Sequence, residues 1–397
     1  MGFIIWSMKE PTTPPWFSTA LTYSLYAFAF TAVASIALQN LIWVAVALLL
    51  FIQFKKHRNL DWPRGPFALA TLLFAASFFV GAIIGINPSN SFNTVHKYLT
   101  ILLFFFVGAM PILLAQAKRL LTLLNYGAAI CALHGIGKHY LDHQERIDSF
   151  SGDKMVFGGM LMVCLLFQIY LLKVDPKSWI HWLTFFLIGF GLLLTETRGA
   201  WLGFGFGALL LGWKFNRKWL GAGILAVCLS FFLLPAELQN RVKSIWTIHL
   251  AFKDGLVQSS DYHERPLIWQ AGWNIVKDHP FGIGQGNLGE LYPKYKHPLA
   301  SEPNVPHLHD NYLQILAQNG WEGFAVYLFW IGTYFFTASL WKPPDNNAGE
   351  LNWTFLCVFS AVLVWGLTEY TFSHQFMNLQ FFLLGLQAAL WRTGKTP

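Results

Sequence analysis

Long apolar runs separated by short polar loops occupy most of this chain. A transmembrane helix needs about 20 mostly apolar residues, and only 12% of the residues are charged, against about 25% in soluble domains. The sequence therefore predicts an all-α polytopic membrane protein with about 12 transmembrane helices. The twelve runs lie near residues 20–38, 40–54, 66–86, 97–115, 119–138, 155–173, 179–195, 199–213, 218–235, 321–341, 351–370 and 374–391.

The basic residues favour one orientation of these helices. With a cytoplasmic N-terminus, the inner segments carry fifteen Lys and Arg, and the short outer loops carry five, which are Lys97, Lys138, Arg146, Lys154 and Arg198. Positive residues concentrate on the cytoplasmic side of membrane proteins. We therefore expect both termini to be cytoplasmic. The net charge of +7 then reflects orientation, and we expect membrane lipids rather than nucleic acid as partners.

The chain is predicted to divide into three parts. Residues 1–235 hold nine transmembrane helices, residues 236–320 form one large outer loop, and residues 321–397 hold three more helices. In the loop, helical spacing places Ile268, Trp269, Trp273 and Val276 on one face, and residues 288–295 are a second short helix.

Neither the N-terminus nor the cysteines suggest processing or cross-linking. The N-terminus lacks the basic start and the cleavage site of a signal peptide, so we expect it to be retained. The four cysteines show no CxxC spacing, which gives no indication of a disulfide framework or a thiolate metal site.

The polar segment Pro306–Gly323 stands apart from the apolar runs. A helix from His309 to Gln318 rises roughly 15 Å at 1.5 Å per residue, too little to cross a bilayer, and Gly320 closes it. A loop histidine is ordinarily solvated, but a histidine titrates near neutrality, so His309 can take a proton from an attacking hydroxyl. The adjacent Asp310 can orient its imidazole or raise the pKa of that ring.

This segment resembles the signature of the bacterial O-antigen ligases. That signature is a histidine, a polar residue, nine residues, a glycine, two residues and a second glycine, and here it runs from His309 through Gly320 to Gly323. The second position is usually Asn, Ser or Gln, and here it is Asp310. The ligases belong to a larger superfamily of O-antigen ligases and polymerases. The resemblance covers roughly residues 190–340 by motif and the whole chain by topology.

Two arginines extend the resemblance. Arg198 lies in an outer turn between two apolar runs, and Arg265 precedes the first loop helix. Without the resemblance, Arg198 would be interpreted as a helix-end arginine and Arg265 as a surface charge. The superfamily has a similar Thr/Ser-x-x-Arg-Gly element, and an Arg followed by a Trp and a Gly-rich turn. The resemblance implies that both arginines contact a diphosphate, for which a planar guanidinium is suited. The glycines of residues 282–286 follow no strand, so a dinucleotide site is not supported and a tight turn is favoured.

The resemblance implies an inner-membrane glycosyltransferase that completes lipopolysaccharide. Its donor would be O-antigen glycan on undecaprenyl diphosphate, and its acceptor a hydroxyl of lipid A–core on the periplasmic side. His309 would be the base, Arg198 and Arg265 would stabilise the leaving diphosphate, and His307 and Asp310 would contact substrate. We expect no cofactor and no metal, since no sugar-nucleotide Asp-x-Asp motif is present.

Other interpretations stay open at this point. They are an O-antigen polymerase, a protein O-oligosaccharyltransferase acting on pilin-like acceptors, and a transporter, which would need ionisable residues near mid-membrane. Several further residues have no assigned role. His139 and His143 have the i,i+4 spacing of a metal pair if they are helical, Glu369 and His374 flank the last outer turn, and Glu196 is placed to pair with an arginine.

Overall fold

The computed structural model describes residues 15–57, 61–215 and 264–393, and within those ranges every regular element is a helix. The predicted run 218–235 and residues 236–263 of the loop lie outside the described residues. The α-helices are α1 (Pro15–Thr31), α2 (Ile36–His57), α3 (Pro66–Ile84), α4 (Pro88–Val95), α5 (Leu103–Gly108), α6 (Leu114–Leu141), α7 (Lys154–Val174), α8 (Trp179–Leu194), α9 (Arg198–Phe215), α10 (Glu264–Asp278), α11 (Leu288–Tyr295), α12 (Asn311–Leu340), α13 (Asn346–Trp365) and α14 (His374–Thr393). Two 3-10 helices, His96–Leu102 and Ser149–Ser151, complete the described elements.

The helices are those of a multi-pass membrane protein. Five of the described helices are long and apolar enough to cross a membrane: α3, α6, α7, α12 and α13. Shorter apolar helices lie at Ile36–Ile52 and Trp179–Leu194. The predicted count of twelve is not confirmed. One predicted span is wrong as a continuous helix, because the run 97–115 forms a 3-10 helix followed by α5, which ends at Gly108.

Helix α7 lies at the centre of the bundle, in contact with α6, α8, α9 and α13. Its spanning window is 89% buried, although the helix is apolar all round. A helix of that kind is stable only when protein or lipid covers every face. Gly159 brings α13 close, since a Cβ at this position would collide with the ring of Trp365. This contact fixes the end of α13 beside the start of α7.

Residues 264–320 build a second, smaller apolar cluster beside the bundle. The predicted short helix at residues 288–295 is confirmed as α11. The predicted face of α10 is partly wrong: Ile268 and Val276 are buried, but Trp273 is 44% exposed and packs edge-on against Trp321. The buried face of α10 instead runs through Ile268, Gly272 and Ile275, with Leu308 packed close against Gly272, and Trp273 lies off this face.

The Gly-rich turn is a clasp that holds the start of α12. Gly282, Gly284 and Gly286 have φ of 91°, 79° and 78°, a region open mainly to glycine. Through this turn, the amide of Ile283 donates to Ala317 O at 2.9 Å, and Ile283 O accepts from the amide of Ile86 at 3.1 Å. The prediction of a tight turn is therefore confirmed.

Gly320 divides α12 into a short helix and a longer apolar one. Its φ of 69° and ψ of −174° are non-helical, and a Cβ there would collide with the backbone of Phe281. The prediction that a glycine closes the short helix is confirmed. The clasp and this break together set the direction in which the start of α12 enters the bundle.

Candidate active site

His309 lies immediately before α12 and not inside it, which corrects the predicted start of this helix. The helix starts at Asn311, and Asp310 is its N-cap, with a side-chain oxygen 2.7 Å from the amide nitrogen of Leu313. Aspartate is among the preferred caps because its oxygen pairs an amide that the first turn leaves open. His309 itself has φ 51°, an uncommon conformation for a non-glycine residue that clusters at functional sites.

The carboxylate that orients His309 belongs to Glu369, in the turn between α13 and α14. His309 Nδ1 lies 3.0 Å from Glu369 Oε1 and 3.2 Å from Oε2. Burial raises the pKa of Glu369. The hydrogen bond with His309 and the neighbouring positive charges lower it by more, so the pKa of this carboxyl lies below its ordinary value. An ionised carboxylate only accepts hydrogen bonds, so Nδ1 carries the proton and Nε2 is left as the basic nitrogen.

Arg265 neutralises the buried glutamate. Its Nη2 lies 3.3 Å from Glu369 Oε2, and the Glu369 side chain is only 4% exposed. A buried charge without a partner is costly, so this guanidinium helps to keep Glu369 ionised. Arg265 thus links the histidine to the cavity described below.

Asn311 holds the histidine segment against the glutamate turn. Its side-chain nitrogen donates to Thr371 Oγ1 at 2.6 Å, and its side-chain oxygen accepts from the amide of Thr371 at 2.7 Å. The amide of Asn311 also donates to Gly366 O at 2.7 Å. These three bonds fix the start of α12 beside residues 366–371, and they position His309 over Glu369.

His307 adds a neutral imidazole next to the pair. Its ring lies 4.2 Å from that of His309, and its Nδ1 is 3.6 Å from Glu369 Oε1. Burial lowers the pKa of His307 to about 4, so this imidazole is uncharged near neutral pH. Asp310 is shifted in the other direction, since burial raises the pKa of its carboxyl to about 6.

A small, partly open cavity lies beside Arg265. Its lining includes three arginines, Arg146, Arg198 and Arg265, and two glutamates, Glu196 and Glu369. The positive charges outnumber the negative ones, so the wall is cationic overall. The loop after α6, the turn before α9, the start of α10 and the turn after α13 all meet here. The structure therefore gathers at one end of the bundle the segments that the charge pattern assigns to one side of the membrane.

The turn before α9 is built to bring Arg198 to this cavity. Arg146 Nε donates to Thr195 O at 3.0 Å, and Glu196 has φ 51°, the second positive φ at the site. Gly199 leaves α9 close to the end of α13, because a Cβ there would collide with Thr368. The glycine after Arg198 is therefore required by packing.

The comparison with known families agrees with the geometry. The model of the O-antigen ligase family matches residues 183–328. This stretch is similar to the O-antigen ligase domain. The match supports a relationship to the O-antigen ligase and polymerase superfamily, whose members are glycosyltransferase-like enzymes that act on a lipid-linked glycan and a lipid acceptor. A search of curated proteins found no match to the chain.

The stretch that matches the family model contains Arg198, Arg265, His307 and His309, while Glu369 comes from a turn beyond it. The structure brings Arg198 and Arg265 to one cavity, and Arg265 and His309 to one carboxylate. Asp310 acts as a helix cap, and its predicted contact with substrate stays a prediction.

The structure separates the residues to which the sequence assigned no role. Helix α6 ends at Leu141, so His143 is not on a helical face with His139, whose Nδ1 pairs with Gln144 O at 2.6 Å. Glu369 joins the site, whereas His374 is not among the residues that line the cavity. Glu196 does line it.

Two histidines and a glutamate at the site have the spacing of metal ligands. His307, His309 and Glu369 present ligand atoms within 4.8 Å of one another, a group found within the described ranges. Two histidines and a glutamate are a donor set that suits zinc. The guanidinium of Arg265 already sits on this carboxylate, however, and its charge opposes a divalent cation at the same oxygens. The site therefore fits a metal poorly.

Sequence reasoning missed the roles of Glu369 and Arg146. One sequence feature could have indicated the role of Glu369. It is a carboxylate beside an apolar run, on the same predicted side of the membrane as His309, and could therefore be a partner of that histidine. Arg146 was counted as an outer-loop charge, and no motif distinguished it. Its position follows only from the fold of the loop after α6.

Proposed function

We propose that the protein is an inner-membrane glycosyltransferase of the O-antigen ligase type. It transfers O-antigen glycan from undecaprenyl diphosphate to a hydroxyl of lipid A–core on the periplasmic side, and so completes lipopolysaccharide. One observation carries the proposal: the His309–Glu369 pair is joined through Arg265 to a cationic cavity that also contains Arg198.

His309 acts as the general base. With Nδ1–H held by Glu369, Nε2 accepts the proton of the acceptor hydroxyl as that oxygen attacks the anomeric carbon. The carboxylate then stabilises the imidazolium that forms, as in other carboxylate–histidine pairs. Neutral His307 beside it adds no charge to oppose this protonation.

The arginine cavity binds the donor diphosphate. Arg198 and Arg265 present planar, permanently charged forks that match phosphate oxygens, and Arg146 adds a third guanidinium to the same wall. Their charge stabilises the negative charge that grows on the leaving oxygen, and a preorganised wall does so without reorganisation.

The bonds balance without a cofactor. The acceptor oxygen forms a bond to the anomeric carbon, its proton goes to His309 Nε2, and the bond between that carbon and the diphosphate oxygen breaks with the electron pair on the oxygen. Attack opposite the leaving group inverts the anomeric carbon. Undecaprenyl diphosphate departs as an anion, so no general acid is required.

The proposed orientation places this chemistry at the periplasmic face, with both termini cytoplasmic. It is supported by the excess of basic residues in the segments assigned to the inside. Both proposed substrates are anchored in lipid, which accounts for a polar site at the end of an apolar bundle.

Deleting the gene and separating the lipopolysaccharide on a gel tests the function. A ligase deletion leaves lipid A–core without O-antigen, while long polymer accumulates on undecaprenyl diphosphate. A core that carries a single repeat unit would instead identify a polymerase, and an unchanged ladder would contradict both and favour a protein glycosyltransferase or a transporter. Complementation with His309→Ala, checked for normal membrane abundance, should fail to restore the ladder.

A further inference from the structure

The indole N–H of Trp365 is a buried donor without a partner. Trp365 ends α13 and is 0% exposed, and its Nε1 has no hydrogen-bond acceptor in the part of the chain that the structure describes. Other tryptophans of the bundle are paired: Trp330 Nε1 donates to Thr71 Oγ1 at 3.1 Å, and Trp201 Nε1 to Leu192 O at 3.0 Å. A buried donor left unpaired costs about 1–3 kcal/mol, so Trp365 needs an explanation.

The position of the ring supplies one. Trp365 lines the arginine cavity together with Arg198 and Arg265. The benzo edge of the indole faces Gly159 on α7, and its Cδ1, the carbon bonded to Nε1, faces Gly199. Gly199 lines the same cavity, so the edge of the ring that carries the N–H lies next to a cavity-lining residue.

The first turn of α9 shares this wall. Helix α9 has 18 residues and begins at Arg198. The first amides of a helix have no partner within it, and they attract anions together with the helix dipole. A Cβ at position 199 would lie 3.0 Å from Trp365 Cδ1, so the backbone at the start of α9 and the indole edge are in close contact. The start of α9 and the indole edge therefore lie side by side next to the arginines.

We propose that Trp365 is a donor-binding residue whose Nε1–H donates a hydrogen bond to a phosphate oxygen of the lipid diphosphate. The inference rests on the proposed function, which places that diphosphate in the cavity. The arginines supply charge, whereas a rigid indole locked between two glycines supplies direction, because its N–H cannot rotate to follow a misplaced oxygen. Trp365 thereby fixes which oxygen faces the arginines.

Removing one N–H tests this inference. Trp365 is replaced by 3-benzothienylalanine through nonsense suppression, which puts sulfur in place of the N–H and keeps the shape of the ring. The matched control is the same replacement at Trp330, whose N–H donates a hydrogen bond to Thr71 in the core. Binding of undecaprenyl diphosphate to the full-length protein in detergent is measured by calorimetry, and Trp365→Phe serves as a second variant.

We expect the change at Trp365 to weaken binding about 10-fold or more, as the loss of a hydrogen bond to a charged group does. The change at Trp330 should leave the affinity unaltered and lower the melting temperature, while the change at Trp365 should not lower it. Equal affinity of the wild type and the Trp365 variant would overturn the inference and leave the proposed function standing. Failure of the wild type to bind undecaprenyl diphosphate would overturn both the inference and the proposed function. Equal weakening of binding by the changes at Trp365 and Trp330 would overturn the inference alone.

Discussion

His309 Nδ1 and Glu369 Oε1 lie 3.0 Å apart, although the two residues are separated by 60 positions in the chain. The histidine precedes the cap of α12, and the glutamate lies in the turn between α13 and α14. Their contact joins the stretch that matches the O-antigen ligase family to a part of the chain beyond it. The protonation state of the proposed base therefore depends on a turn that the ligase signature does not include.

Replacing Glu369 with Gln should lower kcat by roughly 10²–10³-fold and change KM little. The amide keeps an acceptor for Nδ1–H but loses the charge that stabilises the imidazolium, and an equivalent change in a Ser–His–Asp triad costs about 10⁴. Transfer from purified donor to lipid A–core is the measurement. Glu350→Gln is the control, since Glu350 is also ion-paired, with Lys173. A variant of Glu369 with normal kcat would show that the pair is only structural.

Arg146→Gln should raise KM for the donor roughly 10-fold while kcat stays within a few-fold. The reason is that Arg146 lines the proposed diphosphate cavity and is not part of the His309–Glu369 pair. A roughly 10-fold change in KM corresponds to the loss of one hydrogen bond to a charged group. Steady-state kinetics with varied donor provide the test, with Arg119→Gln, an arginine beside Tyr26, as the control. An unchanged KM in the Arg146 variant would show that this arginine does not bind the donor.

Asp310→Asn should stabilise the protein above pH 6 and preserve transfer. The pKa of Asp310 is about 6 in the fold against an ordinary 3.8, so the folded state holds a proton that the unfolded chain releases. Stability from this group is present below about pH 4 and is lost as the pH rises through about 6. Asparagine keeps the cap without the buried charge, and a gain on the order of 1–3 kcal/mol is expected.

Melting temperatures between pH 4 and pH 8 check this prediction. The difference between Asp310→Asn and wild type should vanish toward pH 4. Asp345→Asn, at the exposed cap of α13, is the control and should show no such trend. Loss of transfer by a folded Asp310→Asn protein would instead support the substrate contact predicted from the sequence.

Chelation by EDTA should leave transfer intact. His307, His309 and Glu369 have the spacing of a three-ligand metal site, but the guanidinium of Arg265 occupies the carboxylate. Elemental analysis of the purified protein should then find less than one zinc per chain, and Arg265→Gln should bind zinc more readily than wild type. Inactivation by EDTA with recovery on adding zinc would contradict the proposed metal-free base.

Much of the fold was available from the sequence. Hydrophobicity predicts helices well where lipid and core both demand apolar residues, and the run 155–173 became α7 (Lys154–Val174) almost residue for residue. It failed at 97–115, because an apolar run satisfies a bilayer or a protein core equally, and the chain there forms a 3-10 helix and the short α5. Hydrophobicity measures burial, and it does not measure continuity of the helix.

By itself, the sequence determined that the protein is built from apolar helices, and it predicted the position of the proposed base, His309. Apolar runs require helices in lipid, and the spacing from His309 to Gly320 is local, so both can be read along the chain. Only the tertiary structure decided which carboxylate serves the base. Asp310 is next to His309 in the chain, but it is the N-cap of α12. Its side chain therefore turns toward its own helix, where it accepts a hydrogen bond from the amide of Leu313. The imidazole is left facing Glu369, and that partner depends on packing between helices distant in the chain.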